Sequence, residues 1–193
     1  MTAERTCLHN DVDVDETSEN TVEDEAFDSV MRRRNPDMLI VTTAVGEEQA
    51  GCLVGFHSQC SIEPDRYAVW LSKANHTCQL ALRATHLGLH FLRHDQLDLA
   101  EIFGTMCSDE VNKFTLAGSR VGPFDVPIID ACNDRVIARR TAFLEEGSDH
   151  ICFVLEPVEA CSGPRTRPLR LDEVVNLVPG HQTDDSAART TGS

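Results

Sequence analysis

The sequence predicts a mainly β protein, a small antiparallel barrel with helices packed outside it. Two observations lead to this fold class. Apolar, β-branched runs outnumber helical patterns, and most of these runs are joined by short turns typical of hairpins. The helical patterns cluster in the middle of the chain, as expected for helices that lie against one sheet rather than alternate with its strands.

The strands are predicted from apolar runs bounded by turn residues. The first run is joined to the second by Gly46-Glu47-Glu48, which predicts a hairpin, and the last two are joined by the polar turn Glu145–Asp149. The segment Leu169–Val178 fits either a last strand or a short helix. The predicted strands are Met38–Val45, Ala50–His57, Tyr67–Ser72, Leu87–Leu92, Arg135–Leu144 and His150–Ala160.

Four helices are predicted from apolar residues at helical spacing and from their capping residues. The first begins at Thr21, carries arginines at its end and is broken by Asn35-Pro36. The second covers Asn75–Thr85. The other two begin at Asp95 and Ser108 and stop at Gly104 and Gly118.

The 193 residues suffice for one domain, and their charge is strongly uneven. Of the net charge of −15, residues 1–28 carry −9, from ten acidic side chains and one basic one. Acidic segments with little apolar content do not fold alone. We therefore predict a disordered segment over 1–20, a folded domain over 21–179 and a disordered tail over 180–193. The negative charge argues against nucleic-acid binding, which needs basic surface.

The sequence predicts a cytoplasmic protein. It contains no apolar run of 18 or more residues and no signal peptide at its start, so we predict no contact with a membrane. Its eight cysteines include no close-spaced pair, and most lie among apolar residues. Cysteines in such positions behave as small apolar residues, which favours reduced thiols.

The segment Ser72–Thr77 has the composition of an anion-binding loop. Small residues let the backbone approach a ligand, Lys73 supplies a positive charge, and Asn75 or Thr77 can cap the helix that follows. The free N–H groups and the dipole of a helix start favour an anion at this place.

The histidines of the middle segment raise the question of a metal site. His86, His90 and His94 repeat every fourth residue, and in a strand they would share one face. No carboxylate stands among them, and His94 falls beyond the predicted strand. We therefore predict no metal site.

Four motifs, in the same order along the chain, resemble those of the flavin reductase-like family. Ile40-Val41-Thr42-Thr43 followed by the stretch Gly51–Pro64 matches the first family motif, and Ser72–Thr77 matches its N-K-S-S-x-T. Val111-Asn112-Lys113-Phe114 is similar to its D-K-F segment. Gly147–Phe153 is similar to its G-D-H-x-x-F motif, with one residue inserted. The resemblance covers roughly Phe27 to Ala160.

The resemblance implies an FMN-binding split β-barrel, Greek-key-like, with peripheral helices. It implies flavin contacts from Leu53, Val54, Gly55, Ser58, Gln59, Cys60 and Ser61, and phosphate contacts from Ser72, Lys73, Ala74, Asn75 and Thr77. His150 corresponds to the family histidine near the docking place of nicotinamide, which makes it the predicted catalytic residue. The protein positions the reactants, and the flavin carries out the redox step.

The activity implied is that of an NAD(P)H-dependent FMN reductase, with NADH or NADPH as hydride donor and FAD as a second flavin to consider. The resemblance also implies a homodimer, and a partner monooxygenase if the chain is the reductase half of a two-component enzyme. Leu53-Val54-Gly55-Phe56 stands where the family has hydroxyl-bearing residues. Three alternatives therefore stay open: a flavin-binding or electron-carrier protein without enzyme activity, a deazaflavin-binding barrel, and an interaction module without flavin.

Overall fold

The computed structural model describes residues 24–106 and 112–177 of the chain. The segments predicted to be disordered, 1–20 and 180–193, lie outside these residues, as do the helix starts predicted at Thr21 and Ser108. The chain divides into two compact units, Met1–Arg34 and Asn35–Ser193. The first contains helix α1, Asp24–Arg32, which carries an ion pair between Asp28 and Arg32 one turn apart.

The second unit is built on one seven-stranded sheet in which every neighbouring pair is antiparallel. The strands are β1 Leu39–Val45, β2 Glu48–Val54, β3 His57–Ile62, β4 Asp65–Ser72, β5 His86–Phe91, β8 Arg135–Leu144 and β9 His150–Cys161. Their order in the sheet is β2-β1-β5-β8-β9-β4-β3. The short strands β6 Ser119–Val121 and β7 Pro127–Ile129 form a separate pair.

The sheet is strongly bent, and its topology shows why. The strands at its two ends, β2 and β3, are consecutive in the chain, and only Gly55 and Phe56 separate them. The ends of the sheet must therefore come together, and the N–H of Trp70 in β4 donates to the Phe56 carbonyl at 2.9 Å, which carries the β3–β4 pairing into this short connection. Bulges between β3 and β4 and between β8 and β9 increase the local twist. The predicted antiparallel barrel class is confirmed.

Strand β1 is buried on both faces, which explains its continuous apolar run. Leu39 and Val41 point into the barrel, where they meet Phe153 and Leu155 of β9. Ile40, on the opposite face, belongs to a second core with the outer helices. The apolar residues of β1 thus hold the barrel and the helical layer together.

The helices of this unit pack outside the sheet. Helix α2, His76–Arg83, contributes buried Cys78 and Ala81 to the first core. Helix α3, Leu97–Thr105, contributes Leu99, Ala100 and Phe103 to the second. Phe103 comes so close to β2 that a Cβ on Gly51 would lie 2.8 Å from its ring. The helices are α2 His76–Arg83, α3 Leu97–Thr105, α4 Lys113–Ala117 and α5 Leu171–Val174.

Several predicted boundaries were wrong. Strand β3 was not predicted, because its residues are polar and largely exposed and only its backbone pairing with β4 identifies it. The second strand was predicted to reach His57, but β2 ends at Val54, where the chain turns into β3. Helix α3 begins at Leu97 rather than Asp95, and Gly104 lies inside it. The segment after Leu169 contains a short helix, α5, and the strands β6 and β7 were missed because each has three residues.

Candidate functional site

A cavity of about 380 Å³ lies where β2 ends, between the sheet and the helices α3 and α5. Its volume lies near the lower end of the roughly 300–1,000 Å³ usual for small-molecule sites. Its walls are mainly apolar, which suits a flat, largely apolar ring system. The lining residues are Met38, Cys52, Leu53, Val54, Gly55, Phe56, Trp70, Leu71, Ser72, Phe103, Gly104, His150, Leu171, Val174 and Leu177.

The end of β2 brings three of the predicted flavin residues, Leu53, Val54 and Gly55, to the cavity wall. Val54 is buried, whereas Gly55 is partly accessible. A Cβ on Gly55 would lie 3.2 Å from the Met38 sulfur. A larger residue at position 55 would therefore press on Met38 and take space from the cavity.

The other predicted flavin residues, Ser58 to Ser61, lie on β3 and do not line the cavity as it is formed by the described residues. The Ser58 hydroxyl donates to the Gln59 carbonyl at 3.0 Å, and the Gln59 side chain donates to the Ser61 carbonyl at 3.2 Å. Cys60 is exposed at the bulge. These four residues therefore lie on β3, outside the lining of this cavity, and their contact with a flavin stays a prediction.

The predicted phosphate loop joins β4 to α2. Ser72 lines the cavity, and Asn75 caps α2 by accepting from the Thr77 N–H at 2.9 Å. The Cys78 N–H is also taken, by the Asn75 carbonyl at 2.9 Å. Thr77 itself is buried, with 1% of its surface exposed, and it lies beside the Cys52 thiol. Thr77 thus fixes the helix start, and the accessible members of the loop are Ser72, Lys73, Ala74, Asn75 and His76.

Lys73 is bound to the β8–β9 turn by both its side chain and its backbone. Its ammonium group pairs with Glu145 of the β8–β9 turn, with Nζ and Oε1 2.8 Å apart. Its backbone N–H donates to the Asp149 carbonyl at 2.9 Å, which fastens the far end of the same turn to the loop. The positive charge predicted for a phosphate is therefore already paired.

His150 stands at the first position of β9, opposite Ser72 of β4. Its Nδ1 is 2.8 Å from the Asp149 carboxylate, and its ring meets the edge of the Phe56 ring with centroids 5.3 Å apart. The hydrogen bond from His150, with a smaller contribution from the Lys73 charge, holds the pKa of Asp149 below its usual range. An ionised Asp149 accepts a hydrogen bond from the Nδ1–H of His150, so Nε2 is the ring nitrogen that stays available to a ligand among the described residues.

Sequence reasoning missed most of the apolar lining. Met38, Trp70 and Phe103 reach the cavity from three different parts of the chain, α5 adds Leu171 and Val174, and Leu177 follows from the segment after α5. Phe56 belongs to the stretch Gly51–Pro64, which matches the first family motif, but the sequence predicted no contact for it. The other residues had no local pattern that marked them, since each resembles an ordinary core residue and only the fold brings them together.

His57 stands at a family position usually held by Phe, and here it has a structural role. Its Nε2 is 2.8 Å from the Asp37 carbonyl and its Nδ1 is 2.7 Å from the Tyr67 hydroxyl. Because a carbonyl can only accept, Nε2 carries the proton and Nδ1 accepts from Tyr67. The ring centroids of His57 and Tyr67 lie 5.9 Å apart, so His57 fastens the start of β3 to Tyr67 of β4 and to Asp37, which precedes β1.

Two other histidines of the described segments have structural contacts. His86 stacks on Phe124, and buried His90 bonds the Thr42 hydroxyl at 3.0 Å. Among the residues described, no three His, Cys, Asp or Glu side chains are grouped to hold a metal ion. The six described cysteines are free thiols, and burial raises the pKa of Cys52 and Cys78 to about 11 and that of Cys132 to about 12. These three are protonated near neutral pH.

Residues 31–171 of the chain match the sequence model of a family described as the flavin reductase like domain. The chain belongs to this family. The match spans every strand of the large sheet, including the β8–β9 turn with His150, so the resemblance on four motifs is confirmed at the level of the family. None of the curated proteins compared with this flavin reductase-like domain matches its sequence significantly.

Solved structures of other proteins share the fold. A flavin reductase domain protein from Arthrobacter sp. FB24 has a TM-score of 0.67 and 23% identity, over 75% of this chain and 88% of that one. An FMN-binding protein from Thermus thermophilus has a TM-score of 0.62 and 23% identity, over 69% of this chain and 77% of that one. An NADH:FAD oxidoreductase from Streptomyces globisporus has a TM-score of 0.66 and 18% identity, over 76% of this chain and 89% of that one. At these identities the likeness establishes the fold.

None of the helices in the described part of the chain has the length and the apolar character that a membrane span requires.

Proposed function

We propose that this flavin reductase-like domain binds FMN, with FAD as the second flavin to test, and reduces it with NADH or NADPH. The observation that carries the proposal is the convergence on one cavity. Leu53–Gly55, Ser72 and His150 come from three separate motifs, and all of them line the same space of about 380 Å³.

The residues present fit a flavin. The mainly apolar walls, with Trp70 and Phe103 among them, suit the isoalloxazine ring, and the backbone of Leu53 to Gly55 offers hydrogen-bonding groups to its polar edge. Ser72 and the start of α2 lie at the side of the cavity where a phosphate would be held. A bound flavin would supply the redox chemistry, taking a hydride from the nicotinamide while NAD(P)H becomes NAD(P)⁺.

The chain's own residues position the reactants. Asp149 holds the His150 ring through Nδ1, and the Phe56 ring lies beside it in a T-shaped arrangement. We propose that His150 contacts the nicotinamide from this fixed orientation. Holding two reactants at reacting distance is the main contribution that a protein makes to hydride transfer between bound groups.

The first experiment is an absorbance spectrum from about 300 to 550 nm with FMN added, followed by anaerobic NADH and NADPH. Reductase activity predicts a flavin band that bleaches on addition of one or both nucleotides. A bound flavin that stays oxidised contradicts the reductase and supports a carrier.

One observation favours a second candidate. Apolar Leu53 and Val54 replace hydroxyl-bearing residues at the cavity wall, and Lys73 is already paired with Glu145. A deazaflavin or a protein partner is the alternative if FMN does not bind. We also propose the homodimer, the cytoplasmic location and a single domain over 21–179, and the partner monooxygenase stays a prediction from the resemblance.

A further inference from the structure

We propose that Glu145 is a specificity-determining residue that weakens binding of phosphate-bearing flavins, because it competes with the phosphate for Lys73. The inference rests on the proposed function, since it assumes that a flavin occupies the cavity beside Ser72. It predicts that the protein prefers FMN over riboflavin less than its phosphate loop alone would allow.

Lys73 is the only lysine or arginine in the loop Ser72–Thr77. Its ammonium nitrogen lies 2.8 Å from Glu145 Oε1, and both side chains are partly accessible, at 32% and 49% of their surface. A contact of this length satisfies the lysine with a charged acceptor. A phosphate that binds Lys73 must therefore displace Glu145 or share the ammonium group with it.

The β8–β9 turn holds Glu145 in this position. The turn begins at Glu145 directly after β8 and ends at Asp149, whose carbonyl accepts from the Lys73 N–H at 2.9 Å. The Ser148 hydroxyl donates to the His150 carbonyl at 2.8 Å and stabilises the same turn. Glu145 is thus placed beside the phosphate loop by the fold and does not reach it by chance from a long flexible segment.

The rest of the loop does little to offset the acidic neighbours. The Asn75 side chain and carbonyl occupy the N–H groups of Thr77 and Cys78, and His76 pairs with Glu48 at 3.1 Å. The Asp149 carboxylate is paired with His150 at 2.8 Å, and the lysine charge makes only a small contribution to its lowered pKa. An incoming phosphate, with a charge of about −1.5 to −2 near neutral pH, meets one lysine that is already paired with Glu145.

The test compares dissociation constants for FMN and riboflavin, measured by flavin fluorescence on the full chain. Riboflavin has the same ring and no phosphate, so the ratio of the two constants reports on the phosphate site alone. Glu145→Gln should tighten FMN binding by about two- to fivefold, the range expected for a partly exposed ion pair, and leave riboflavin unchanged. Glu146→Gln is the matched control, because it removes the same charge from the same turn. Lys73→Ala should lower the preference for FMN.

An FMN-to-riboflavin preference that is unchanged or lower in Glu145→Gln overturns the inference. An equal rise in Glu146→Gln also overturns it, because the effect would then come from the overall charge. If the unaltered protein binds neither flavin, the proposed function itself fails, and the inference fails with it. Binding of riboflavin by each variant shows that its cavity is folded.

Discussion

At the scale of single residues, the site depends on polar side chains that contact either a neighbour in the sequence or the residue opposite them on the adjacent strand. Asp149 orients the neighbouring His150, and Ser72 faces His150 across the β4–β9 pair. These short connections make the arrangement of the predicted catalytic residue rigid. They also make its role testable without disturbing the core.

Replacing His150 with Ala should slow the reduction of bound flavin by NADH about tenfold or more, because the nicotinamide loses its contact at the cavity. The affinity for flavin should stay nearly the same. Stopped-flow absorbance and flavin titration measure the two quantities. His94→Ala is a suitable control, since His94 is exposed and does not line the cavity. Unchanged reduction kinetics in His150→Ala would rule out the proposed role.

Buried His90 should make the protein sensitive to mild acid. Its burial, which is nearly complete, lowers its pKa from 6.5 to about 4, and the nearby charge of Arg135 adds to this effect. The unfolded chain takes up a proton below about pH 6.5, while the folded chain resists until about pH 4. The contribution to stability is therefore full above pH 6.5 and is lost as the pH falls toward 4.

The loss should be about 1.4 kcal/mol for each pH unit well below 6.5. His90→Gln keeps a donor for Thr42 and does not titrate, so its free energy of unfolding should fall less steeply between pH 6.5 and 5. Urea titrations at several pH values measure the two slopes. Parallel slopes would mean that other groups cause the acid sensitivity.

At the scale of elements, the phosphate loop is held by the start of α2. Asn75 accepts from the Thr77 N–H, and buried Thr77 lies beside Cys52 of β2. The helix start thus fixes the loop relative to the strand that forms the cavity wall. Any loss of this cap should be felt in both stability and flavin binding.

Asn75→Ala should lower the free energy of unfolding by about 1 kcal/mol, the usual cost of losing an N-terminal helix cap. Asn75→Asp should retain most of the stability, since its carboxylate can accept the same bond. Denaturant unfolding followed by circular dichroism measures both. Equal stability of the Ala and Asp variants would show that the cap contributes nothing.

At the scale of the whole molecule, one outer face of the sheet carries an apolar row. Leu144, Cys152 and Trp70 lie opposite one another across β8, β9 and β4, which puts their side chains on the same face. Trp70 and Leu144 are 37% and 54% exposed. Exposed apolar surface of this kind is typical of contact sites, and it adjoins the cavity through Trp70.

We therefore expect the proposed homodimer to form through this row. Leu144→Arg should convert a dimer into a monomer in sedimentation velocity, because a buried unpaired charge is costly. Val121→Arg is the control, since Val121 is exposed on the short strand β6, outside the row. A monomeric unaltered protein, or a dimer that survives Leu144→Arg, would contradict the expectation.

The sequence determined the elements whose residues carry their own pattern. The apolar run of β1 and its turn predicted the first hairpin, and the four motifs predicted the family. Strand β3 could not be predicted, because an edge strand of polar, exposed residues depends on its partner β4 for its backbone bonds.

The sequence and the tertiary structure each determined part of the candidate site. Local chemistry marked Ser72–Thr77 and His150, because charge, small residues and capping groups act over a few positions. Only the tertiary structure decided that Met38, Trp70, Phe103 and helix α5 meet around one cavity. It also decided that Glu145 pairs with Lys73, since a contact between residues 72 positions apart depends on how the strands are ordered in the sheet.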